Sequence, residues 1–239
     1  MSALLKINDL WGGYTEGVDI LRGISMEVQQ GEAVGIIGLN GSGKSTFGKA
    51  IMNMIPIRRG EILLDGEDIT ALSTGQLAHR GISIMQQGGR VFPNLSVWDN
   101  LQLAAQANNN CQFSFFNSQL AELVPLLQRS KRELQHLMAD KLSGGQKHQL
   151  SLAMTLTTNP KFVILDEPSA GLSPKAVDEM YQTLNVIKDK LDFTIILIEQ
   201  NISKSIDFCY RNLMIGQGSI IQEFRNEEIT EIEKIMFNK

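Results

Sequence analysis

Apolar and polar residues alternate along residues 4–10 (LLKINDL) and 24–28 (ISMEV). That period predicts two half-buried strands paired antiparallel. Gly31-Glu32 reads as a turn, and Ala33–Ile37 is a short apolar run that ends at a glycine. A helical stretch over Lys44–Met54 follows the glycines, so the local order is strand, glycine loop, helix. Glu61–Asp65 and Gly81–Met85 read as further strands.

After Phe92-Pro93 the pattern changes. Residues 96–141 are rich in Leu, Gln, Asn and Ala at helical spacing, with a loop expected at Asn108–Gln112 and another helix starting near Pro125. Phe162–Leu165 is then wholly apolar and ends in Asp166-Glu167, and Thr194–Ile198 is a second such run. Apolar strands on either side of a helix over 174–190 suit a buried parallel sheet. The tail, 219–239, reads as one strand and one short helix. The pattern divides 1–239 into a sheet core (1–90 and 159–218), an inserted helical subdomain (91–158) and this tail. There is no internal repeat and no low-complexity tract.

Composition narrows the function classes. The chain has 239 residues, 43% hydrophobic, with a net charge of −4, so nothing in its charge draws it to nucleic acid. No apolar run approaches the roughly 20 residues of a membrane span, and the opening residues (MSALLK) do not read as a signal peptide. Cys111 and Cys209 are isolated, which suggests a reducing compartment. His79, His136 and His148 lack metal spacing and read as surface or helix residues; Trp11 and Trp98 read as packing, and Arg129–Glu133 as a solvated helix face.

The candidate chemistry lies in three places. Gly38-Leu39-Asn40-Gly41-Ser42-Gly43-Lys44-Ser45 fits the phosphate-loop pattern: glycines turn backbone N–H groups into one concavity and the following helix adds its positive end. Lys44 supplies a point charge to β- and γ-phosphates, and Ser45, followed by Thr46, offers a hydroxyl to Mg²⁺. At the carboxyl end of an apolar strand, Asp166 can hold Mg²⁺, and Glu167 can orient and deprotonate water. Leu142-Ser143-Gly144-Gly145-Gln146 opens another helical stretch with Ser143 as N-cap, a second anion-binding helix start.

In this order and spacing the phosphate loop, the LSGGQ signature and the Asp-Glu strand resemble the ATP-binding cassette (ABC) family across essentially the whole chain. The resemblance implies an α/β fold: a P-loop NTPase (RecA-like) core with an antiparallel β subdomain and an inserted α-helical subdomain. It implies an ATPase using ATP and Mg²⁺, and a head-to-tail dimer with a second cassette, itself or a paralogue. Ser143, Gly144, Gly145 and Gln146 would face the γ-phosphate held by the Lys44 of the other copy. It further implies Tyr14 as the ring stacked on adenine and Gln87 as the glutamine that touches Mg²⁺ and couples to the membrane partner. Gln86 is adjacent, but Gly88 and Phe92-Pro93 follow Gln87 at the family spacing. Most cassettes have histidine where Gln200 stands, and many have aspartate where Ser173 stands. Glu199-Gln200-Asn201, the SAGLSP stretch and the AHRGI stretch at 78–82 look like the branch that imports branched-chain and hydrophobic amino acids, with urea uptake close by. Transmembrane permease subunits and a substrate-binding protein are the implied partners, and the cytoplasmic face of the membrane the implied place. An exporter of lipid or lipopolysaccharide, or a non-transport cassette, is the alternative. The gap between phosphate loop and signature is too short for the coiled-coil insertion of chromosome ATPases.

Overall fold

A computed structural model describes residues 3–106, 120–191 and 193–225. The expected loop at 108–112, Cys111 and the expected tail helix lie outside the described residues. The chain falls into two compact units, Met1–Ala71 with Ile195–Lys239, and Leu72–Thr194.

The first unit carries two sheets. Strands β1 (Ala3–Gly12) and β2 (Leu21–Gln29) pair antiparallel as the alternation predicts, and β4 (Ile57–Leu64) pairs antiparallel on the other side of β1, followed by the short β5 (Glu67–Asp68). β4 begins earlier than its sequence pattern suggests. Its first residues are mostly exposed and do not alternate, yet their ladder to β1 runs back to Gly12 opposite Ile57. Backbone pairing, not side-chain periodicity, sets that strand's length. The second group runs β10 (Ser219–Arg225), β9 (Arg211–Gly216), β3 (Ala33–Ile37), β8 (Thr194–Glu199). β3 is parallel to β8 and β9, and β10 returns antiparallel. β8 is buried at every position, the continuous apolar signature of a parallel strand covered on both faces. Helix α1 (Lys44–Ile51) follows β3. The later helix α8 (Ile202–Phe208) packs on β3, and Ile37, Ile206, Met214 and Phe224 form a buried cluster with Ile202 against it. A bidentate ion pair joins Arg211 to Glu32, with Nε–Oε1 at 2.7 Å and Nη2–Oε2 at 3.0 Å. Burial works against the Arg211 charge, yet the Glu32 hydrogen bonds and the Glu32 and Glu223 carboxylates hold the guanidinium above its usual pKa.

The second unit holds β6 (Ile82–Met85) parallel to β7 (Phe162–Asp166), the latter buried throughout. Its helices are α2 (Thr74–His79), α3 (Val97–Gln106), α4 (Leu120–Leu123), α5 (Lys131–His136), α6 (Gly144–Leu156) and α7 (Pro174–Lys190). The described residues of 96–141 are helical in short pieces, with a 3₁₀ turn at Pro125–Gln128 and not a full helix. Fully buried Asn100 on α3 ties down the preceding loop: its amide bonds both the N–H and the carbonyl of Phe92. α2 has no strong apolar period; it starts because Ser73 and Gln76 form a reciprocal capping box. Within the second unit, α2 and α6 pack on β6. No described helix is long and apolar enough to cross a membrane.

Candidate functional site

Each unit carries part of the machinery. In the first unit the phosphate loop leaves β3 at Ile37 and enters α1 at Lys44. Gly38 has no room for a side chain: a Cβ there would fall 2.3 Å from the Ile215 carbonyl oxygen and 2.8 Å from Ser42 Oγ. Gly43 is the N-cap of α1 at φ 107, a left-handed conformation, and adds no side-chain cap. The turn between β9 and β10 supports the loop, since Gly218 N donates to Ser42 O at 2.9 Å. Asn40 and Gly41 are exposed, while Gly43, Lys44 and Thr46 are buried and Ser45 half-buried. Lys44 Nζ donates to the carbonyls of Gly38 at 2.9 Å and Leu39 at 3.1 Å, so the ammonium is folded over the loop. Ser42 Oγ is buried and has no hydrogen-bond partner. An unpaired buried hydroxyl is costly, and a phosphate oxygen in the loop would satisfy it. This orphan fits a phosphate ligand. A cavity of 440 Å³ lies against the loop, walled by β9–β10 residues including Met214, Ile215 and Ile221.

Tyr14 is 52% exposed, and its hydroxyl accepts a bond from Lys49 Nζ at 3.2 Å. A flat exposed ring held by a helix residue has a face to offer a base. At the end of β8, Glu199 is buried and its Oε2 accepts from the backbone N–H groups of Gln200 at 3.0 Å and Asn201 at 3.3 Å. Asn201 then caps α8 through Lys204 N. Gln200 is thereby presented, exposed, on a turn shaped by its neighbour. Sequence reasoning named Gln200 but missed Glu199 as the residue that shapes the turn; a buried acid at a strand end was the available signal.

In the second unit Asp166 closes β7, 2% exposed. Glu167 follows at φ 47. Its Oε2 accepts from Gln87 Nε2 at 2.6 Å. It is Gln87 that reaches Glu167, while its neighbour Gln86 is half-buried. Ser143 caps α6 as predicted: its Oγ accepts from Gln146 N, and Gln146 Oε1 accepts from Ser143 N at 3.0 Å. Ser143 and Gly144 are exposed. They open on a cavity of 570 Å³ that also takes in Gly171, Ser173 and Arg129. Ser173 caps α7, its Oγ accepting from Ala176 N. Two helix starts and the Arg129 guanidinium line this cavity together with the Glu179 carboxylate; helix N-termini and a guanidinium favour an anion. His148, read from the sequence as a surface or helix residue, is on a helix but is 5% exposed, with Nδ1 2.6 Å from Pro168 O.

Among the described residues no group of three His, Cys, Asp or Glu could hold a metal. Mg²⁺ usually takes one or two carboxylates together with substrate phosphate oxygens, and the buried Asp166 carboxylate is a donor of that type.

Known proteins resemble this chain in sequence and in fold. The sequence profile of the ABC transporter family matches residues 21–170. The lipopolysaccharide export system ATP-binding protein LptB of Escherichia coli K12 is 30% identical over 236 residues, covering 98% of this chain and 95% of the relative. The probable branched-chain amino acid transport ATP-binding protein LivF of Archaeoglobus fulgidus is 29% identical over 231 residues, covering 97% of this chain and 96% of the relative. The crystal structure of a nucleotide-free ATP-binding cassette from an ABC transporter superposes with a TM-score of 0.81 at 26% identity, over 97% of this chain and 95% of that one.

Proposed function

Because the chain belongs to the ABC transporter family and is an ATPase subunit that powers a transporter, we propose that its cargo is a branched-chain or other hydrophobic amino acid, taken up through transmembrane permease subunits. The observation that carries this reading is the Glu199-Gln200-Asn201 turn, with a neutral amide where most cassettes place a histidine. The likeness to LivF supports it. In this reading the whole of 1–239 acts as one ATPase domain, its helical part (91–158) meets the permease, and the chain sits peripherally on the cytoplasmic face of the membrane. A substrate-binding protein completes the importer.

The chemistry divides among named side chains. The loop Gly38, Asn40, Gly41, Ser42, Gly43 and Lys44 receives the β- and γ-phosphates, Ser42 Oγ gaining the partner it lacks. Tyr14 stacks on the adenine. Ser45, Asp166 and Gln87 are the residues that would hold Mg²⁺, beside Thr46. When bound, Mg²⁺ neutralises charge on the phosphate oxygens. Glu167 takes the proton from the attacking water, its carboxylate aimed by the Gln87 bond. Gln200 positions water and γ-phosphate by hydrogen bonding alone, since an amide cannot take a proton. Ser143, Gly144, Gly145 and Gln146 of a second cassette close over the same ATP head to tail.

The test is reconstitution of the chain with the permease that co-purifies with it. ATP hydrolysis should rise when a binding protein loaded with leucine or valine is added. Stimulation by lipopolysaccharide or lipid, with no response to amino acids, would favour the exporter reading, which the likeness to LptB keeps in view.

A further inference from the structure

His148 has no task in the chemistry above, yet it stands among the most constrained polar residues of the second unit. It lies in the first half of the signature helix α6 and is 5% exposed. Its ring is wedged between two other functional segments. Nδ1 sits 2.6 Å from the carbonyl oxygen of Pro168. A carbonyl only accepts, so Nδ1 carries the proton and donates. On its other side the ring leaves no room for a side chain at Gly89: a Cβ there would fall 2.4 Å from Cδ2, 2.9 Å from Cγ and 3.0 Å from Nε2, and Gly89 is at φ 58. One imidazole thus joins α6, the turn just after Glu167, and the loop just after Gln87.

The backbone at Glu167 explains what that junction can do. Glu167 is at φ 47, a region that residues other than glycine avoid. It also precedes Pro168, and a residue before proline is driven toward extended backbone. A conformation opposed on both counts persists only where its surroundings over-determine it. Hydrogen bonds around it include Ala170 N to Glu167 O at 3.1 Å, Gln87 Nε2 to Glu167 Oε2 at 2.6 Å, and His148 Nδ1 to Pro168 O. The first is local to the turn. The second holds the side chain. The third reaches the peptide next to Glu167 from a different helix.

We propose that His148 is a positioning residue for hydrolysis: its Nδ1–H holds the turn at Pro168, keeps Glu167 in its left-handed conformation, and ties the orientation of that carboxylate to the signature helix and to the loop that carries Gln87. The proposal rests on Glu167 being the general base. His148 touches neither ATP nor water. Its action is geometric, and small displacements of a reacting group are enough to slow a reaction severely.

The donor and the ring volume can be separated in the full-length chain. His148→Phe keeps a ring and loses the donor. His148→Asn places an amide nitrogen near the position of Nδ1 and keeps it. His148→Gln is equally polar but carries its amide one bond too far. We expect Phe and Gln at 148 to lower kcat by about 10- to 100-fold with KM for ATP and the affinity for a fluorescent ATP analogue within about twofold, and Asn to recover kcat to within about threefold of the parent. Circular dichroism reports the fold, and the Asn and Gln pair decides the matter even if the Phe variant does not fold. Equal kcat in the Asn and Gln variants, parent kcat in either the Phe or the Gln variant, or a loss seen equally in nucleotide affinity would each overturn the proposal. Glu167→Gln measured alongside separates the two readings. If that variant keeps the parent rate, the base assignment fails; if it is dead while the Gln variant at 148 is fully active, only the role of His148 fails.

Discussion

Gln87 Nε2 and Glu167 Oε2 stand 2.6 Å apart, joined across 80 residues of sequence. The bond fixes the direction of the carboxylate, and a carboxylate oxygen that accepts one hydrogen bond still has a lone pair for a water proton. Glu167→Gln should therefore retain ATP binding while kcat falls by about 10²- to 10⁴-fold. ATP should drive the variant into a stable dimer, read by size-exclusion chromatography. Turnover at the parent rate would remove Glu167 from the role.

Removing the other partner is a milder change. Gln87→Ala should lower kcat roughly tenfold, the size of one charge-assisted hydrogen bond, with KM for ATP little changed. A rise in KM with kcat intact would show that Gln87 serves ground-state binding instead.

Lys44 carries binding, not turnover. Lys44→Ala should weaken ATP by roughly 10- to 100-fold, corresponding to about 1.5–3 kcal/mol for a hydrogen bond to a charged group. The measurement is the rise in melting temperature with ATP concentration, which follows the affinity. A variant stabilised by ATP as strongly as the parent would contradict the assignment.

The signature should act only between copies. Gly144→Asp adds a charge at the start of α6, where the nearest atom to a new Cβ is Leu172 Cδ2 at 3.8 Å, and an acid in the first turn suits the helix dipole. The fold should persist and single-chain ATP affinity should hold, but the ATP-driven dimer of Glu167→Gln should not form when Gly144→Asp is added. An unchanged dimer would separate the signature from the nucleotide.

Stability can be tested away from the chemistry. In Glu32→Gln, Arg211 loses the charge that faces it from two oxygens. The expected cost is about 1–2 kcal/mol, or roughly 2–8 °C in melting temperature for a chain of this size. Nucleotide affinity should not change.

Local motifs were legible before any coordinates. The phosphate loop, the Ser143–Gln146 cap, the Asp166-Glu167 strand end and the helix over 174–190 rest on spacings of a few residues or on simple alternation. Other elements gave weaker signals. α2 and α8 are short and start from side-chain caps at Ser73 and Asn201, β4 owes its extra length to pairing with β1, and the described helices between 120 and 141 are short pieces. Tertiary packing and capping outweigh propensity in segments this short.

The sequence by itself determined the class of chemistry, because glycines beside a lysine, a Ser–Gln cap and paired acids after an apolar strand each act through neighbours in the chain. Only the tertiary structure decided which of Gln86 and Gln87 reaches Glu167, that Glu32 pairs with Arg211 across 179 residues, and that His148 is buried against the Pro168 carbonyl 20 residues away. Those contacts depend on how strands and helices stack. No local period encodes them, since the residues that meet are brought together by the burial of other side chains.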